Sequence, residues 1–334
     1  MDNYELEMTK PPVTCYLHHA YPLTAAMAHK DFYPWFFSNY IQLEYNQDIH
    51  ALNFFTCVIC GNCIYVPILD YKILDLEFLF KSNTNIIDFI INSIDMGYYV
   101  TTYLDQYFVP DRTLFQKKHI RHEEMILGYD SVKELFKIVG YNSRGIYSKS
   151  NISFSEFEAS YINSISKTND VILFKAKDSM SYKPSFEFDI INVKNLLKDY
   201  LLSKDTTDNL RIIGNPKSGY VYGIQVYKGI IKYIQLANEN NNPCDIKIPY
   251  LLWEHKKAMV SRIEYLIENK YLASSNELLT AHIGLQHDAE RVKNMILKYN
   301  VTYDKKLIET TINSLQQMYN KEIVLIEDLL NKLA

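Results

Sequence analysis

The sequence predicts an α+β fold: a mixed N-terminal domain over residues 1–190, followed by a helical domain over 191–334. Three observations predict it. Alternating runs rich in β-branched and aromatic residues cluster before residue 180, helical periodicity takes over after Asn192, and 334 residues is about twice the usual domain length. The small, apolar run from Thr14 to about Ala28 follows Cys15 and contains Pro22, so the helix expected there is short or kinked. Asp31 to Tyr45, DFYPWFFSNYIQLEY, is dense in aromatics, poor in charge and ambiguous in period, which suits a buried irregular segment or a pocket wall. From Ile86 to Met96 apolar residues recur at helical spacing and stop at the capping Gly97, and the alternating YYVTTYL from Tyr98 to Leu104 reads as a strand.

Beyond Pro110 and Asp111, the strand-like runs MILGY and LFKIVGY flank a polar DSVK, which predicts a β-hairpin. VILFKAK from Val171 is a further strand, and SFEFDI from Ser185 pairs with it or leads into a helix. Five periodic segments then run to Leu333, with Asn192 and the Ser274–Asn276 cluster as expected N-caps.

A chain 48% hydrophobic and 22% charged is neither disordered nor fibrous. With 35 basic against 39 acidic residues there is no overall cationic field for a phosphate backbone, so the expected partner is a small molecule or a protein and not nucleic acid. The opening MDNYELEMTKPPVT lacks an apolar stretch, and nothing later reaches about 18 uninterrupted apolar residues, so neither a signal peptide nor a membrane span is expected. Five cysteines, an odd number, fit reduced thiols and a cytoplasmic location. The phosphate loop, the GxGxxG turn and the GxSxG elbow are all missing from the sequence, and no cofactor is expected.

Cys15 precedes the first helix, where unpaired backbone N–H groups lower a thiol pKa and favour the thiolate nucleophile. The competing reading is a small buried hydrophobe. Hairpin register adds to the first. A turn centred near Val132 makes partner numbers sum to about 264, setting Tyr129 opposite Leu135, Leu127 opposite Lys137 and His122 opposite Asn142. Cysteine, histidine and asparagine then stand in an order that lets the amide orient the imidazole and the imidazole deprotonate the thiol. Asp130 is roughly 26 Å from His122 along the strand and reads as a turn residue. A slip of one position substitutes Tyr141. His119 faces the other side of the strand from His122, so only one can serve, and His18 and His19 are further candidate bases.

Cys57, Cys60 and Cys63 in TCVICGNC have metal-like spacing, with Cys244 a conceivable fourth ligand, but flanks resembling core sequence favour buried thiols and no metal. Glu254 and His255 are half of a metalloprotease helix, with Met259 where the second histidine belongs, and read as a solvated or interface face.

The segments CYLHHAYPL, PWFFSNYIQL, INSIDMGYYV, LDQYFVPDR, HEEMILGYD and LLWEHKKAM span most of the chain, and together they resemble the butirosin biosynthesis protein H-like family. That resemblance implies a papain-like N-terminal domain akin to bacteriocin-processing peptidases, with Cys15 as nucleophile and His122 as base. The peptidase relatives carry Asp-Pro where this chain has Tyr141 and Asn142. The implied chemistry is acyl transfer in specialised metabolism, from the thioester of an acyl or peptidyl carrier protein to a small-molecule amine or water, with Trp35, Phe36, Asn39 and Tyr40 as candidate pocket residues. The alternative is a non-catalytic peptidase fold that docks onto a carrier-protein assembly.

Overall fold

The computed structural model describes residues 2–56, 58–60, 63–75, 79, 81, 82, 84–164, 170–178, 186–209, 217–273 and 276–333. The strands are β1 (Asn3–Glu5), β2 (Leu43–Asn46), β3 (Ala51–Phe54), β4 (Val58–Cys60), β5 (Cys63–Ile64), β6 (Leu69–Asp75), β7 (Tyr99–Asp105), β8 (Arg121–Asp130), β9 (Leu135–Tyr141), β10 (Tyr147–Ser153), β11 (Asp170–Ala176) and β12 (Tyr220–Tyr222). The helices are α1 (Leu17–Ala26), α2 (Phe32–Asn39), α3 (Ile86–Asp95), α4 (Phe154–Ser164), α5 (Ile190–Leu202), α6 (Val226–Glu239), α7 (Lys247–Glu268), α8 (Asn276–Thr302) and α9 (Lys305–Lys332).

The mixed and helical regions form two units, but the boundary is not a single cut at 190. One unit takes Met1–Phe32 and Asn62–Ser185, the other Tyr33–Gly61 and Phe186–Ala334. In the sheet unit, antiparallel strands run in the order β10-β9-β8-β7-β11-β6, with β1 added to β8. Val100, Leu104, Ile126, Phe136, Ile138 and Leu173 turn one face toward Ile90 and Ile94 of α3 and Phe157 of α4. On the other face, α1 lies against β5, β6 and β11, and Thr24 of α1 shares a 3.1 Å hydrogen bond with the Tyr147 hydroxyl of β10. Helix α1 is short and holds Pro22, as the sequence predicts.

Asn85 caps α3 by accepting the N–H groups of Ile87 and Asp88, and Gly97, at φ +84°, ends it in the left-handed conformation that glycine adopts without a Cβ clash. The hairpin forms as expected, and Asp130 is its turn residue, accepting from the Lys133 amide at 3.0 Å. Its register differs near the turn: Tyr129 faces Phe136 and Gly128 faces Lys137, one residue off the expectation. An irregularity between Ile126 and Gly128 absorbs the extra residue, and Ile126↔Ile138 and Met125↔Val139 pair as expected; the ladder ends there, short of the expected His122–Asn142 pair.

The helical unit combines α5–α9 with a small sheet ordered β12-β2-β3. Asp31 to Tyr45 is regular rather than irregular, forming α2 and then β2, and most of it belongs to this unit. The reason is non-local. Arg262 of α7, fully buried, donates from Nε to the Phe37 carbonyl (2.8 Å) and from Nη2 to the Tyr40 carbonyl (2.6 Å), satisfying acceptors that the end of α2 leaves open. Burial lowers its pKa to about 9. The N-cap of α5 is Asp189, not Asn192, whose amide donates instead to the Ser38 carbonyl at 2.7 Å. Ser185, Ser274 and Ser275 lie outside the described residues. Among the described residues, no helix is long and apolar enough to cross a membrane.

Candidate functional site

Cys15 stands two residues ahead of α1 and is buried at 6% exposure. The carbonyl of Thr14, its neighbour, accepts the Tyr141 hydroxyl from the end of β9. Further along α1, the Tyr21 hydroxyl lies between the carbonyls of Val139 (2.9 Å) and Glu123 (3.2 Å), beyond the last bonded β8–β9 pair. Burial holds that phenol well above its ordinary pKa, so it stays a neutral donor. Tyrosines from α1 and β9 thus fix where the Cys15 backbone sits.

The other two members of the expected relay are placed elsewhere. His122 is opposite Leu104, and Leu104 belongs to the core under α3 and α4, so the His122 side chain leaves the sheet on the face opposite α1. Its ring is exposed, and Nδ1 lies 3.2 Å from the Glu123 carbonyl oxygen. Asn142 is spent on the turn between β9 and β10. Its Oδ1 accepts the amides of Arg144 and Ile146, both at 3.0 Å, and its Nδ2 donates to Ser148 Oγ at 3.1 Å. The amide therefore orients a turn and not an imidazole. Tyr141, the residue that a one-position slip would substitute, is the one that reaches the residue before Cys15.

Among the described residues His119 has a carboxylate partner, and His122 has none. Its Nδ1 is 2.7 Å from Asp105 Oδ2, and its ring stacks on Tyr107 with centroids 4.2 Å apart. Asp105 is buried, and its Oδ1 accepts the Tyr107 amide at 3.1 Å. His18 and His19 sit in the first turn of α1 with ring centroids 4.4 Å apart.

The expected pocket residues are core of the helical unit. Trp35, Phe36 and Tyr40 are buried, with Phe36 stacked on Tyr40 at 4.7 Å and Tyr40 against Phe54 at 5.1 Å, while the Asn39 amide donates to the Trp35 carbonyl at 2.8 Å. Cys63 and Cys244 are buried thiols, and burial pushes Cys244 up to about 11. Cys57 and the Cys60 side chain lie outside the described residues. No cluster able to hold a metal ion occurs among the described residues.

Two buried charge systems lay outside the sequence reading. In the sheet unit, Arg112 Nε and Nη2 grip Glu124 Oε1 and Oε2 at 2.7 Å each, and Nη1 donates to Ser150 Oγ at 3.0 Å. A Cβ on Gly140 would stand 2.7 Å from Glu124 Oε2, so glycine is what lets the fork fit. In the helical unit, Glu254, His255 and Lys256 are buried, so Glu254 and His255 are not on the solvated face that is one of the two expectations for them. Lys256 Nζ donates to both Glu322 oxygens (2.6 and 2.7 Å), to His255 Nδ1 (3.1 Å) and to the Tyr200 hydroxyl (3.2 Å). Tyr227 donates to Glu322 Oε2 at 2.7 Å, and His255 Nε2 donates to the Ile41 carbonyl at 2.8 Å. The signal was legible: Lys256 and Glu322 each occupy a core position in a helical apolar stripe, between Leu252 and Met259 and between Met318 and Ile326.

No family model matches the chain, and no curated protein matches it.

Proposed function

We propose that this chain works by binding: a papain-like fold, of the kind the butirosin biosynthesis protein H-like resemblance implies, that docks onto a carrier-protein assembly of specialised metabolism without passing an acyl group through Cys15. The observation that carries this reading is the pairing of His122 with Leu104 in β8 and β7, because it turns the expected base toward α3 and α4 while Cys15 leads into α1 on the other face. The use of the Asn142 amide in a turn supports it.

A second reading, a cysteine acyltransferase with an amine or water as acceptor, draws support from one feature. Cys15 keeps its position just ahead of a helix, with the preceding carbonyl clamped by Tyr141. Intact-mass spectrometry after incubation with acyl-loaded carrier proteins separates the two. The docking reading expects no covalent adduct, and alkylation of Cys15 by iodoacetamide at neutral pH no faster than that of an ordinary thiol. An acyl adduct that disappears in Cys15→Ala overturns it and establishes the transferase.

A further inference from the structure

From Arg112 to His122 the sequence contains no acid, and Lys117, Lys118, His119, Arg121 and His122 crowd its end. In the sheet unit these charges are sorted by direction. Asp105 on His119 and the Tyr107 amide, Glu124 in the Arg112 fork and Glu123 Oε1 accepting from the Tyr103 hydroxyl at 2.9 Å are engaged within the fold, while Asp111 is exposed, its Oδ1 accepting from Ser143 Oγ at 3.3 Å. The basic side chains face out, apart from Arg121, which is half-buried over the Tyr103 ring. Lys117, Lys118, His119, His122 and Arg144 are all exposed, and the side chains of Lys118 and Arg144 make no hydrogen bond or ion pair among the described residues.

The Arg144 turn joins the same surface, because the Ser143 amide donates to the Asp111 carbonyl at 2.8 Å. Two apolar side chains lie open among these basic residues, Ile120 at 37% and Ile146 at 52% exposure. The segment is also held in shape. Gln106 N donates to the Ile120 carbonyl (2.9 Å), Gln116 N donates to the Tyr107 carbonyl (3.0 Å), and His119 is pinned by both Asp105 and the Tyr107 ring. A surface ordered before its partner arrives loses less entropy on binding.

We infer that Lys117, Lys118, His122 and Arg144, with Ile120 and Ile146 between them, form the docking surface for an acidic protein partner, an inference that rests on the docking reading above. Charge complementarity sets the partner's sign. The whole chain is net −4, so a long polyanion such as nucleic acid meets overall repulsion, whereas a compact acidic helix meets only the local field. The exposed isoleucines add the apolar contact that a partner helix supplies and a phosphate backbone does not.

The test titrates a purified acidic acyl carrier protein against the wild-type chain and against the Lys117→Glu, Lys118→Glu, Arg144→Glu triple variant, at low and at high salt. A second triple variant, Lys232→Glu, Lys298→Glu, Lys306→Glu, changes net charge equally on the helical unit. The expected result is salt-weakened binding that drops about tenfold or more in the first variant only, with far-UV spectra unchanged in both. Binding by the first variant equal to that of wild type overturns the patch and leaves the docking reading intact. Equal losses in both variants, or tighter binding of a DNA duplex than of the carrier protein, also overturn the patch. A wild-type chain that binds no carrier protein removes the docking reading itself.

Discussion

Each unit buries an ion pair, and the two pairs are built on opposite plans. In the sheet unit, Arg112 and Glu124 meet as a planar fork, two parallel hydrogen bonds between residues twelve apart in sequence, with Ser150 as a further side-chain partner. In the helical unit, the Lys256 ammonium is a point charge shared among Glu322, His255 and Tyr200, and with Tyr227 the cluster draws on α5, α6, α7 and α9. The difference follows from the cations. A guanidinium satisfies itself against one carboxylate, while a buried ammonium with three donors needs several acceptors from different directions. The fork therefore fastens one loop to one strand, and the hub fastens helices to each other.

The largest expected effect comes from removing a carboxylate. Glu322→Leu strands the Lys256 ammonium in the core and is expected to cost about 3–5 kcal/mol of stability, measured by denaturant unfolding. Lys256→Met combined with Glu322→Leu is expected to recover most of that loss, because no uncompensated charge remains. Glu124→Leu in the fork is expected to cost a similar amount. There the rescue by Arg112→Met is expected to be poorer, since Gly140 and Ser150 leave a site shaped for a planar group. Equal rescue in both units would erase the distinction between fork and hub.

Acid separates the two plans next. Burial holds His255 well below its ordinary pKa, with the Lys256 ammonium adding to the effect, and burial likewise lowers His282, whose Nε2 is buried without a hydrogen bond among the described residues. The charged and titratable groups around them are Lys256, Arg262, Glu322, Lys321, Tyr200 and Tyr227. The unfolded chain takes up protons at these histidines near pH 6.5 while the folded chain does not. Their contribution is therefore full above pH 6.5 and is lost as pH falls below it, by up to about 1.4 kcal/mol per pH unit for each histidine. Both tryptophans, Trp35 and Trp253, lie in the helical unit, so tryptophan fluorescence follows that unit's unfolding. The denaturation midpoint read this way is expected to fall between pH 6.5 and 5, and His255→Gln to flatten the fall. A midpoint independent of pH would mean that the histidines are not held neutral.

What could be read from sequence was local. The Gly97 stop of α3, the hairpin, its Asp130 turn and the five late helices all rest on patterns a few residues long, and all appear in the structure. Two pairs past the irregularity, Ile126↔Ile138 and Met125↔Val139, were legible too, but the ladder ends before the expected His122–Asn142 pair. Which way His122 points was not, because it depends on β7 laying Leu104 beside it, and no pattern within the hairpin encodes that neighbour. Membership of residues 33–61 was hidden for the same reason: Phe37 and Tyr40 are claimed by an arginine more than two hundred positions later. The Asn142 reading failed locally. NSRG is a turn sequence, and a side-chain amide accepting nearby backbone N–H groups competes with any distant role.

The smallest expected effect sets that turn beside a cap in the other unit. Asn142 in the sheet unit and Asp189 in the helical unit do the same work, a side-chain oxygen accepting backbone N–H groups just downstream: Asn142 takes those of Arg144 and Ile146, Asp189 that of Asn192 at 2.9 Å. Replacing either by alanine is expected to cost about 1 kcal/mol, since water can reach the freed groups of an exposed turn or helix start. Asn142→Ala is also expected to leave the pH profile of Cys15 alkylation unchanged, because its amide faces the turn. If the variant instead kept its stability while alkylation of Cys15 slowed by about 5-fold or more, the amide would be orienting the base after all. That outcome would move Asn142 out of the comparison with Asp189 and back into a relay with the cysteine.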